Sequence, residues 1–143
     1  MKRLLFTLAL AAAAAVTPLR AATDDEVAAR KLALEVAGAF SNDGFKLRDG
    51  HWCGKFAPGK PALIQVNLYA GNQYWFTVGA TAAAKKIAVT VFDETGKPVA
   101  TEPYADASVA AAGFAAKHSG PYYIRLDLTE GAASAFCLIY SYR

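Results

Sequence analysis

From about residue 60 onward, apolar and polar positions alternate in short runs separated by glycine, proline and asparagine, the period of strands buried on one face. The run Leu63 to Tyr69 puts Ile64, Val66 and Leu68 on one side and Gln65, Asn67 and Tyr69 on the other. After the turn Ala70-Gly71-Asn72, the run Gln73 to Val78 sets Tyr74, Phe76 and Val78 against Gln73, Trp75 and Thr77. Ile87, Val89 and Val91 repeat the pattern before Asp93-Glu94-Thr95-Gly96-Lys97 reverses the chain. Behind Ser119-Gly120-Pro121, Tyr122, Ile124, Leu126 and Leu128 oppose Tyr123, Arg125 and Asp127 within Tyr122 to Thr129. The closing run Ala135 to Tyr142 is apolar on both faces. Ala105 to Ala116 has a helix-like composition, but is read here as a loop with a short strand through Ala112-Gly113-Phe114.

Ahead of these runs the period changes. Thr23-Asp24-Asp25-Glu26 fits a capping box, in which a hydroxyl and a carboxylate satisfy each other's orphan amides at a helix start. An alanine-rich segment follows with Val27, Leu34 and Phe40 as its larger apolar residues, and Ser41-Asn42-Asp43-Gly44 stops it. The spacing predicts a helix over about residues 24 to 40. Strands at this spacing with no helices between them predict an all-β fold, an antiparallel β-sandwich with an N-terminal α-helix.

The first residues read as an address. Lys2 and Arg3 precede an apolar run from Leu4 to Val16, followed by Pro18 and small residues, the layout of a secretory signal peptide. The run is shorter than the roughly 20 residues of a membrane span. With cleavage expected after Ala21, the organisation is signal peptide 1–21, helical extension 22–44 and β-sandwich domain 45–143. Removing Lys2, Arg3 and Arg20 cancels the excess of 15 basic over 12 acidic residues and leaves the mature chain near zero net charge. Its lysines are scattered, apart from Lys85 and Lys86, which argues against nucleic acid as a partner. A periplasmic or secreted location with no membrane span is the expectation.

An ordered set of short motifs runs through the β region: Leu68, Ala70, Gly71 and Tyr74; Phe92, Asp93 and Gly96; Ser119, Gly120, Tyr122, Tyr123 and Arg125; and Phe136 and Leu138. Over about residues 60 to 142 the chain resembles the bacterial pre-peptidase C-terminal domain. That resemblance implies a jelly-roll-like sandwich that accompanies secreted enzymes and usually carries no catalytic site of its own. The N-terminal helix and the cysteine pair are additions to the family's pattern.

The residues with the most chemical promise lie in DGHWCGKF, residues 49 to 56. A thioredoxin-like site needs a second cysteine three positions after the first, where this chain has Phe56. A nucleophilic Cys53 needs an oriented base, and His51, two residues away on an extended strand, stands roughly 7 Å off between alpha carbons. A zinc site from His51, Cys53, Cys137 and His118 has suitable residue types without a close-spaced cysteine pair. An exported chain with two cysteines most often forms one disulfide, so Cys53 and Cys137 are expected to be bonded.

The acids offer less. Asp93 and Glu94 fall in a hairpin turn, and neither they nor Asp106 and Asp127 have a spacing that calls for calcium. No cofactor is expected. The alternation leaves Tyr69, Trp75 and Tyr123 pointing outward with Arg125 and Gln65 near them. Outward aromatics with polar neighbours can stack on a sugar ring or anchor a protein partner, and otherwise serve as the surface on which the helix packs with its Val27, Leu34 and Phe40 stripe. The sequence therefore reads as a non-enzymatic binding or assembly module of the cell envelope, with an envelope protein or a glycan as partner. Tyr69, Trp75, Tyr123 and Arg125 are the candidate ligand-binding residues. One alternative is a carbohydrate-binding module with an aromatic stacking face; a second is a small metal-binding protein or hydrolase, which would need His51 and His118 to converge with a carboxylate.

Overall fold

The computed structural model describes residues 20–143. The expected signal segment, except for its last two residues, lies outside them. Among the described residues no helix is long and apolar enough to cross a membrane.

The chain folds as one helix on a sandwich of two antiparallel sheets. In chain order the elements are α1 (Asp24–Phe40), a 3-10 turn (Ser41–Asp43), β1 (Lys46–Leu47), β2 (Trp52–Phe56), β3 (Ala62–Leu68), β4 (Gln73–Ala80), β5 (Ala84–Phe92), β6 (Glu102–Asp106), β7 (Val109–Ala115), β8 (Gly120–Gly131) and β9 (Ser134–Tyr142). The larger sheet has the order β1-β9-β4-β7-β6, with β2 also paired to β9; the smaller is β3-β8-β5. Most connections pass from one sheet to the other, so the two sheets are wound together rather than built one after the other.

The alternating faces fall as the pattern requires. Ile64, Val66 and Leu68 of β3, Tyr74, Phe76 and Val78 of β4, Ile124, Leu126 and Leu128 of β8, and Phe136, Leu138 and Tyr140 of β9 form one continuous core between the sheets. The region expected to be loop around one short strand is instead a hairpin, β6 and β7, paired from Glu102↔Gly113 to Asp106↔Val109. Alanine is a weak strand former, but β7 lies between β4 and β6, where Ala110 and Ala112 fit beneath the core aromatics and the ladder satisfies the backbone.

β9 is buried on both faces because a second layer covers the larger sheet. Helix α1 begins with the expected capping box: the Glu26 amide donates to Thr23 Oγ1 at 3.2 Å and the Thr23 amide donates to Glu26 Oε2 at 3.0 Å. Gly44, at φ 84°, takes the left-handed conformation that ends the segment. The docking face differs from the expected one. Val27 and Leu34 are 46% and 41% exposed, while Ala29, Ala33 and Ala37 are buried, the last two against Ile139. The cause is how closely the helix backbone approaches β4: a Cβ placed on Gly79 would stand 2.3 Å from the Ala29 carbonyl oxygen and 2.7 Å from the Ala33 amide nitrogen. At that separation only methyl-sized side chains fit between helix and sheet, and larger ones turn outward.

Candidate functional site

The outward aromatics do not form one surface. Trp75, on the helix side of β4, stacks on Phe40 with ring centroids 4.2 Å apart and planes 8° from parallel. Its other face lies on the backbone of Gly113, where an added Cβ would come within 2.8 Å of the indole. With Phe40 and Gly113 packed on the indole, Trp75 is half-buried beside an adjoining groove of about 630 Å³. The cation of that groove is engaged as well: Arg143 donates to Gln73 Oε1 and to the Asp43 carbonyl, each at 2.6 Å, and lies 4.7 Å over the Phe45 ring. The helix therefore covers Trp75 through Phe40 alone of its three expected stripe residues.

Tyr123 and Arg125 belong to the other sheet. They lie on its open outer face beside Leu63 and Phe92, around a shallow depression. Arg125 is held in a two-pronged ion pair with Asp127, both contacts 2.9 Å, which favours the charged guanidinium and raises its pKa. Tyr69 is elsewhere again, just beyond β3, and 66% exposed. Of the four candidate residues, only Tyr123 and Arg125 are neighbours.

Cys53 and Cys137 are bonded to each other. They are direct cross-strand partners of β2 and β9, with Cα atoms 4.1 Å apart, at a position where antiparallel strands approach most closely. The Cys137 sulfur lies 3.2 Å from the Glu26 carbonyl oxygen. A half-cystine has no proton to donate, so this is a packing contact beneath the first turn of the helix. The bond takes both sulfurs out of any nucleophilic or zinc-ligating role. His51 and His118 line different clefts, His51 with Asp49 and His118 beside the Asp93 turn. Among the described residues there is no cluster of three metal-ligating side chains. Asp93 acts within its turn: Oδ1 accepts from the Thr95 hydroxyl at 2.6 Å and from the Thr95 and Lys97 amides at 2.9 and 3.0 Å. The Thr95 hydroxyl and the Lys97 amide hold its pKa below the usual carboxylate value.

A feature not singled out in the sequence occupies the open seam between the sheets. β1 pairs Leu47 with Ser141 and β2 pairs Trp52 with Leu138, so four residues, Arg48 to His51, oppose only Ile139 and Tyr140. Gly50, at φ 105°, makes this bulge sterically accessible. The bulged segment, facing the edge strand β3, borders a two-lobed cleft of about 430 and 510 Å³, within the size range of small-molecule sites. Arg48, Asp49, Asn67, Tyr69 and Tyr140 line both lobes. Tyr69 stands at the rim, and Tyr140, 3% exposed, forms the floor. The Arg48 guanidinium carbon is 5.8 Å from the centre of the Tyr140 ring, and Trp52 packs against the same ring, centroids 5.8 Å apart.

Two of the cleft's tyrosines have different duties. The Tyr74 hydroxyl accepts from the Tyr69 amide at 2.9 Å and from Asn72 Nδ2 at 3.2 Å, which fixes the β3–β4 turn. The Tyr140 hydroxyl has no hydrogen-bond partner among the described residues, and burial raises its pKa above 10.0, with Arg48 acting in the opposite sense. The signals for this cleft were present in Asp49-Gly50 ahead of Trp52 and in the aromatic last strand, but the register that joins them is not a property of either segment.

No protein-family model matches the chain, and no curated protein does.

Proposed function

We propose that the chain is an exported, non-catalytic β-sandwich module that binds a component of the cell envelope. The observation that carries this reading is the seam cleft, which presents ring faces, an amide and the Tyr140 hydroxyl, the groups of a recognition site. The cross-strand disulfide, which needs an oxidising compartment to persist, and the signal-like first residues support an extracytoplasmic location. The ordered motifs shared with the pre-peptidase C-terminal domain support an accessory rather than catalytic role, as an analogy at the level of fold.

Co-sedimentation of the purified, oxidised protein with isolated envelope material tests the reading. Saturable sedimentation with the envelope is expected, and it should be lost when the disulfide is reduced and the protein unfolds. Protein that stays in the supernatant at every envelope concentration would overturn it.

The carbohydrate-binding alternative built on Trp75, Tyr69 and Tyr123 has no support in the geometry, because Trp75 is clamped and the other two rings lie on separate surfaces.

A further inference from the structure

The seam cleft is close to balanced in charge, with Arg48 and Asp49 side by side at its mouth, and rich in neutral hydrogen-bonding groups. An anion gains from Arg48 but meets Asp49, and a cation meets the reverse. An aliphatic ligand would leave the Tyr140 hydroxyl and the Asn67 amide desolvated without partners, a cost of roughly 1 to 3 kcal/mol for each group. A ligand that matches the lining must be uncharged, carry several hydroxyls, and present an apolar face to the exposed Tyr69 ring. A pyranose ring has all three properties.

We infer that the cleft between the Arg48–His51 bulge and β3 is a binding site for a neutral saccharide, with Tyr69 stacking on a sugar ring at the rim and Asn67 and the Tyr140 hydroxyl bonding to its hydroxyls. The inference rests on the reading of the chain as a binding module and names the ligand class. It places the site on residues distinct from Trp75, Tyr123 and Arg125. The bulge is what exposes the site: without the extra residues, regular pairing would continue along β9 and close the window over Tyr140.

The test is an amide-resolved NMR titration of the oxidised protein with a panel of neutral disaccharides: maltose, cellobiose, diacetylchitobiose, lactose and mannobiose. The expected result is a saturable shift, with at least one of them, of the amides at Arg48 to His51 and Asn67 to Asn72. Tyr69→Ala should weaken binding about tenfold and Tyr140→Phe about three- to tenfold, while Trp75→Phe leaves it unchanged. Tyr140→Phe keeps the ring that packs the core, so a matching unfolding midpoint separates lost binding from lost folding. No saturable shift with any of the sugars, shifts confined to other surfaces, or an affinity indifferent to Tyr69→Ala would overturn the proposal. If the sugars fail while the protein still sediments with the envelope, the saccharide site falls alone; if both fail, the binding reading falls with it.

Discussion

Gly79 and Thr77 show how tightly single positions are set where the helix meets the sheet. The Ala29 carbonyl occupies the space that a Gly79 side chain would need, so Gly79→Ala should cost about 1 to 3 kcal/mol in denaturant unfolding as the helix is pushed off β4. Thr77 is wholly buried and its hydroxyl has no partner. Thr77→Val, which keeps the shape, should therefore raise stability by about 1 kcal/mol, and a loss would mean that the hydroxyl is satisfied in solution. Asp93 belongs to a different class, an exposed acid whose folded pKa is depressed by its turn. Its contribution is present above the ordinary value of 3.8 and is lost as pH falls through the lower folded value. Acid unfolding curves of the wild type and Asp93→Asn should accordingly differ near neutral pH and converge at low pH. This role was legible in the sequence, because aspartate at the head of a Glu-Thr-Gly turn bonds locally. The free hydroxyl of Tyr140 was not, because its surroundings come from two strands and a bulge far apart in the chain.

At the level of elements, the helix boundaries were readable because caps are local: Thr23 and Glu26 mark one end and Gly44 the other. The docking face was not. Large apolar residues dominate any reading of amphipathicity, yet the interface here is set by backbone proximity, which selects Ala29, Ala33 and Ala37 and leaves Val27 and Leu34 exposed. Phe40 is the exception that reaches across to Trp75. Phe40→Ala should open the indole, seen as a red shift and stronger acrylamide quenching in a Trp52→Phe background. Unchanged quenching would mean that the stack does not persist in solution. The β6–β7 hairpin was hidden for a related reason, since its alanines and Pro103 carry little strand signal and its pairing depends on β4.

The whole molecule is a sandwich closed differently on its two outer faces. The larger sheet is covered by α1 over β4 and β9, and the smaller leaves Leu63, Tyr123 and Arg125 in the open. The fold class was legible because alternation alone specifies two-layer burial, whereas the seam cleft needed the pairing register of β1, β2 and β9. Within the larger sheet the disulfide joins β2 to β9 over a separation of 84 residues. In the chain-entropy model, replacing both cysteines by alanine should remove roughly 4 to 5 kcal/mol of stability. The proposed extracytoplasmic location requires that bond to be formed and the leading segment to be removed, and both can be read in one experiment. Intact-mass spectrometry of the protein recovered from cells, alkylated with and without prior reduction, should find a chain beginning near residue 22 that takes up no label until it is reduced. A full-length chain carrying two labels without reduction would contradict the account.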